Sequence, residues 1–301
     1  MRAIQRVILD GRIGETYGSK RALVAGGTVS QPLVVLSPPR RWTFLNLGEL
    51  RGYHELLYFL IVRDVKLRYQ QMALGVAWAL LQPLASMLIF TLFLGRLGGV
   101  MSTEVPYPLF AYAGLLLWSF FSNAVSSAST SLIATPNLVT KVYFPRLITP
   151  AAAVFATLVD FAIGFPLLLG LMAYYGVPVT WGLLAVPVVL ILLTLLALAV
   201  GTWMAGVNVK YRDVRYALPF VIQLWMFASP IIYPATLVPE RWRWVLRLNP
   251  VAALVEAFRA ALFGGTFPWG ALAGALAVTL VVAAIALLAF AKLEDSFSDV
   301  I

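Results

Sequence analysis

The sequence predicts an all-α integral membrane protein with six transmembrane helices, an N-terminal interfacial amphipathic helix and a re-entrant helical hairpin between helices five and six. Three observations predict it. Hydrophobic residues make up 61% of the 301 and charged residues only 12%, and the mean hydropathy of +0.88 is far above that of soluble domains. The stretch Met72 to Gly95 carries no charge for 24 residues, which at about 1.5 Å per helical residue is long enough to cross a hydrocarbon core of about 30 Å. Basic residues gather at one set of span ends, the pattern that sets membrane orientation.

Residues 1–48 are polar and basic, with seven Lys or Arg against two acids, and read as a cytoplasmic extension. Their apolar pieces, such as Leu33 to Leu36, are too short for a signal-peptide core. Gly18-Ser19-Lys20 is not a phosphate-binding loop, because Ile13 stands where its first glycine belongs and Ser19 splits the Gly-Lys pair. Residues 49–70 read as the interfacial helix. Tyr58, Ile61, Val62, Val65 and Tyr69 share one face with Arg63 and Lys66 opposite, and Asp64 and Arg68 have the spacing of an i,i+4 ion pair. An ordinary amphipathic helix packed on a soluble domain is the alternative.

Residues 71–291 form the six-span domain. Gln82-Pro83 lies inside the first span, where proline can kink a membrane helix. The second uncharged region, Val105 to Thr140, is apolar and aromatic at first and then rich in Ser, Thr and Ala, so its second half is expected to face protein or an aqueous path. Pro136-Asn137 ends it, and the basic, aromatic loop Lys141 to Arg146 follows. The third span, about Leu147 to Tyr174, holds Asp160, the only acid inside a predicted span. Such a group is a functional candidate by default; the plainer reading is a hydrogen-bonded helix–helix contact, for instance to the Ser-rich half of the second span. The fourth span is about Gly182 to Gly206 and the fifth about Tyr216 to Tyr233. Between Pro234 and Phe267, the apolar piece Val251 to Phe263 is too short to cross and contains Glu256 and Arg259, which suits a re-entrant hairpin. Trp269 to Ala291 is the last span, and residues 292–301 are a cytoplasmic tail. Seventeen Lys and Arg fall on the terminal side and five on the other, which puts both termini in the cytoplasm and the chain in the cytoplasmic (inner) membrane.

The absence of cysteine excludes disulfides and Cys-based metal or redox sites, and a single histidine excludes a multi-histidine metal site within one chain. No Walker loop, nucleophile elbow or HExxH motif occurs. No cofactor is expected in this chain and no nucleic-acid partner. Transport is the default reading of such a chain. An integral-membrane transferase needs polar residues clustered at one interface, which His54 and the scattered acids do not supply. A secondary transporter needs more intramembrane charge than Asp160 and the hairpin pair.

The motifs RDVKLRYQQMALGVAWALLQPL, VPYPLFAYAGLLLWSFFSNAVSSASTSLI, LVTKVYFPRLITP, NVKYRDVRYALPFVIQLWMFASPIIYP and LNPVAALVEAFR, in this order, resemble the permease subunit of type-2 ABC exporters, in the branch that exports O-antigen, capsular or teichoic-acid polymers. The resemblance covers roughly Leu33 to Ile301. It implies a homodimer around a central path, bound to two cytoplasmic ATPase subunits that carry ATP and Mg, and a lipid-linked polymer as substrate. A drug or antibiotic exporter of the same type is the alternative within the family. By the same resemblance Asn137, Lys141, Val142, Tyr143, Phe144 and Arg146 form the ATPase-coupling loop; the plainer reading is a loop made basic by membrane orientation alone, with its aromatics at the headgroup level. Segment 240–264 is implied as a periplasmic gate, where Glu256 and Arg259 would neutralise each other at depth. Sugar rings can stack their C–H faces on aromatic rings, which makes Trp118, Phe121, Trp203, Trp225 and Tyr233 candidates for a substrate path; membrane-interface belts are the competing destination.

Overall fold

A computed structural model of the chain describes residues 52–70, 75–97, 105–136, 138 and 144–294. The predicted extension 1–48, the tail beyond Glu294, and Asn137, Lys141, Val142 and Tyr143 lie outside the described residues. Every regular element among the described residues is helical.

Helix α1 is His54–Tyr69. Its most buried residue lies beside the predicted face, of which Ile61, Val62, Val65 and Tyr69 are half-buried and Tyr58 exposed. Leu60 is 1% exposed, with Tyr53, Leu56, Leu57 and Ile61 packed around it, whereas Tyr58 and Phe59 point outward. Helical spacing left the deepest position open, and the choice was made by what lies beneath, namely Phe144 and the start of α4. The predicted Asp64–Arg68 pair does not form either. Asp64 bonds its neighbour Arg63 at 2.8 Å, and Arg68 reaches across to another helix.

Helix α2, Ala77–Phe90, contains Pro83 and runs on through a wider helical turn at Thr91–Leu97. Helix α3 is Tyr107–Ala134, ending just before Pro136. Helix α4 is Ile148–Tyr174, and α5 is Val186–Lys210, entered through a short turn at Trp181–Ala185. Gly176 takes φ 70° between them, where a side chain would be strained. Helix α6 is Val214–Phe227, α7 Arg243–Leu248, α8 Pro250–Phe263 and α9 Trp269–Glu294.

Five segments among the described residues are long and apolar enough to cross a membrane: Ala77–Gly95, Tyr107–Ala134, Ile148–Tyr174, Trp181–Lys210 and Trp269–Leu293. The predicted fifth span is the exception. It is helical only over the 14 residues of α6, and at Ser229 to Tyr233 the chain turns. The cause is in the sequence, where Pro230 and Pro234 lack the N–H that would continue the helix.

Helix α3 is the axis of the bundle. Most of its apolar stretch is buried (72%), against 11% for α2. Lipid tails are as apolar as leucine, so helices in a bilayer gain from close packing rather than from escaping water. The α3–α5 contact shows this, with Gly201 set against Ala124, Val125 and Ala128. A Cβ on Gly201 would stand 2.6 Å from that of Ala128. Asn208 on α5 donates to the Ser129 carbonyl at 2.8 Å, and Ser129 and Ser131 return their hydroxyls to carbonyls of their own helix. Asn123, Ser126 and Ser127 of the Ser-rich half border a polar cleft, as described below.

Candidate functional site

Asn249 and Arg259 close the break after α6. Asn249 is the N-cap of α8, accepting from the Val251 and Ala252 amides, with Pro250 at the first helical position. Its amide also donates to the Ser229 hydroxyl at 2.8 Å and accepts from the Trp225 indole at 3.1 Å. Arg259, 8% exposed, donates to the carbonyls of Pro230 (2.7 Å), Ile231 (2.5 Å) and Phe110 (3.2 Å), and its guanidinium lies 3.5 Å over the Phe110 ring. The Tyr107 hydroxyl caps the next carbonyl, Ile232, at 2.7 Å. Irregular backbone within a bilayer is tolerated only where other protein groups satisfy it. The arrangement requires Gly114, since a Cβ there would stand 2.5 Å from the Ile231 carbonyl oxygen.

The predicted Glu256–Arg259 pair does not form as a contact, although each group still lies in the field of the other. No ion pair joins them; carbonyls and an aromatic face hold the cation. On a helix, residues three apart are neighbours, but Arg259 is turned inward while Glu256 borders a surface cleft of about 300 Å³ with Arg243 and Arg247.

The five candidate aromatics do not form one lining. Trp118 and Phe121 are buried on α3, with ring centroids 5.6 Å apart, and Phe121 meets Trp225 edge-on at 5.2 Å. These are packing contacts inside the chain. Tyr233 donates to the Phe227 carbonyl at 2.9 Å. Trp203 stays 37% exposed, two residues on from the Gly201 contact and so turned away from α3. Its place on a lining with the other four is not supported.

Asp160 sits where the sequence invites a helix–helix contact, with partners it did not specify. Arg68 and Tyr69, in the last turn of α1, both bond its carboxylate, and Arg68 also donates to the Ser127 hydroxyl on α3 at 3.2 Å. Burial first, and then the carboxylate beside it, push the Tyr69 hydroxyl above its ordinary pKa, so it remains a donor. These groups border a cleft of about 300 Å³, completed by Gly75, Trp78, Ala79 and Gln82 at the start of α2 and by Asn123 and Ser126 on α3. A partial signal was readable: the only acid inside a span needs a cation, and Arg63, Lys66 and Arg68 stand together on the helix that leads into the first span. Which one arrives depends on the tilt of α1.

Of the coupling-loop candidates, Phe144 and Arg146 are described. Phe144 is 6% exposed, packed against Leu60 of α1 and Ile148 and Ala152 of α4. Its ring is taken up within the chain, where it joins the loop to α1, and so is not offered to a partner surface. Arg146 is half-buried.

The sequence pattern of ABC-2 type transporters matches residues 55–263. The chain belongs to the ABC-2 type transporter family. An O-antigen export system permease protein of Myxococcus xanthus is 34% identical over 223 residues, covering 73% of this chain and 85% of that protein. One of Klebsiella pneumoniae is 25% identical over 259 residues, covering 85% and 97%. A polysialic acid transport protein of Escherichia coli is 27% identical over 255 residues, covering 79% and 93%. Membership makes this ABC-2 chain a multi-pass permease subunit, with ATP hydrolysis on a separate partner subunit. The matched region runs from α1 through α8, so the Asp160 cleft and the Arg259 socket both lie within it.

Proposed function

We propose that this chain is the membrane half of an ATP-driven exporter that carries a lipid-linked polysaccharide, of the O-antigen or capsule kind, across the cytoplasmic membrane. The observation that carries the substrate class is the function of the relatives, O-antigen export in two bacteria and polysialic acid transport in a third, each matched over most of its own length. Two copies would enclose the path and two ATPase subunits would bind beneath them. The outward apolar faces of α2 and α6, including Leu88, Leu92, Phe220 and Leu224, suit both lipid and a second copy.

In this reading both termini and loop 137–146 are cytoplasmic, as the Lys and Arg distribution favours. Helix α6 and the turn through Tyr233 together make the sixth crossing, and α7–α8 dip back from the outer face as the gate. A movement of the coupling loop would pass through Phe144 to α1, and from the end of α1 through Arg68 and Tyr69 to Asp160 on α4. The test is removal of the chain from its cell. Surface polysaccharide should be lost while lipid-linked polymer accumulates inside, and the intact chain supplied again should restore export. Unchanged surface polysaccharide, with a drug-sensitive phenotype in its place, would assign a small-molecule substrate instead.

A further inference from the structure

The cleft over Asp160 has a chemistry that the packing of the bundle does not use. Trp78 and Gln82 are four apart on α2 and share a face, and Trp78 is 54% exposed. Asn123, on α3, faces the same space. Neither the Gln82 nor the Asn123 side-chain amide bonds another described residue. Pro83 has no N–H for the carbonyl of Ala79, one turn earlier, and Ala79 also borders the cleft. Gln82 is exposed and Asn123 half-buried, so both amides are open to whatever enters the cleft.

We infer that this cleft is a saccharide subsite, which takes one sugar ring of the exported polymer on its way into the path. The inference rests on the exporter reading above and names a place where the polymer is held. Trp78 supplies a flat apolar face for the C–H side of a pyranose ring. The amides of Gln82 and Asn123 and the hydroxyl of Ser127 each both donate and accept, which is what sugar hydroxyls require. The charge pattern selects against a phosphate. Among the described residues of the lining Arg68 is the only cation, and it already pairs with Asp160, so an anion would meet a carboxylate as well as a guanidinium. About 300 Å³ is at the small end of ligand pockets, which suits a single ring.

The test uses the whole exporter, permease with its ATPase subunits, in cells that make the polymer. With p-benzoylphenylalanine in place of Trp78, irradiation should attach periodate-sensitive saccharide to the purified chain. The same residue in place of Trp181, which is 89% exposed, should attach none. Phospholipid alone at position 78, or equal saccharide at both positions, overturns the inference. A second set of variants separates ring stacking from bulk. Trp78→Phe should keep export within about twofold, while Trp78→Leu and Asn123→Leu each lower it about fivefold, at equal membrane levels and equal ATPase co-purification. Full export by both leucine variants overturns the subsite while leaving the exporter reading intact. Full surface polysaccharide in cells lacking the chain overturns both.

Discussion

Arg68 and Arg259 are both cations carried into a membrane bundle, and the two ends of the molecule treat them differently. Arg259 is buried without a carboxylate. It lies on Phe110 and bonds three carbonyls, two of them from the chain break at Pro230–Ile231. Arg68 is part-exposed, pairs with Asp160 and faces an open cleft. A guanidinium has five donors in a rigid fork, so it can serve either as a cap for stranded backbone or as the partner of an acid. The first use leaves nothing to exchange. The second leaves a pair whose partners can change when a ligand or a helix moves.

The largest effect should come from the buried cap. Arg259→Gln removes the charge and most of the donors, leaving carbonyls unpaired in a low-dielectric site. We expect a loss of about 3–5 kcal/mol, read as a lower thermal midpoint of the purified complex and reduced membrane levels. Arg259→Lys should rescue little, because one ammonium cannot reach carbonyls on both α3 and the turn. Gly114→Ala, which changes no donor, should fail in the same way by pushing the Ile231 carbonyl away. A stable Arg259→Gln complex would erase the contrast between the two arginines.

A smaller effect is expected at the other arginine. Asp160→Asn should cost about 1–3 kcal/mol by leaving Arg68 without its anion. The double variant Arg68→Gln/Asp160→Asn should lose less than the two single variants added together, since the cost of each lies mainly in the charge it strands. Additivity in that cycle, measured on stability and on export, would mean that the pair is not coupled.

The smallest effect is expected at Glu256. With no ion pair to Arg259, Glu256→Gln should change stability by no more than about 0.5 kcal/mol. A loss comparable to that of Arg259→Gln would restore the pairing that the i,i+3 spacing suggested.

That spacing shows where sequence reasoning stopped. It placed Glu256 and Arg259 on one side of a short helix, but the direction of a long side chain depends on what surrounds it. Stranded carbonyls at Pro230 and Ile231 outcompeted a neighbouring carboxylate that could face water. The N-cap at Asn249 is encoded locally, as Asn-Pro before an apolar run, and needs no distant element to form. Phe144 was assigned to the coupling loop by the family resemblance; its burial against Leu60 depended on α1 folding back over α4.

By itself, the sequence determined what is local or additive. Uncharged length marked five of the membrane segments, and ordered motifs over most of the chain marked the family. The tertiary structure decided what depends on distant elements meeting: α3 as the axis, Leu60 rather than Val62 as the most buried residue of α1, and Arg68 rather than Arg63 on Asp160. The physical reason is that Arg68 and Asp160 are 92 residues apart. Their pairing is set by the packing of α1 on α4, and no period within either helix encodes it.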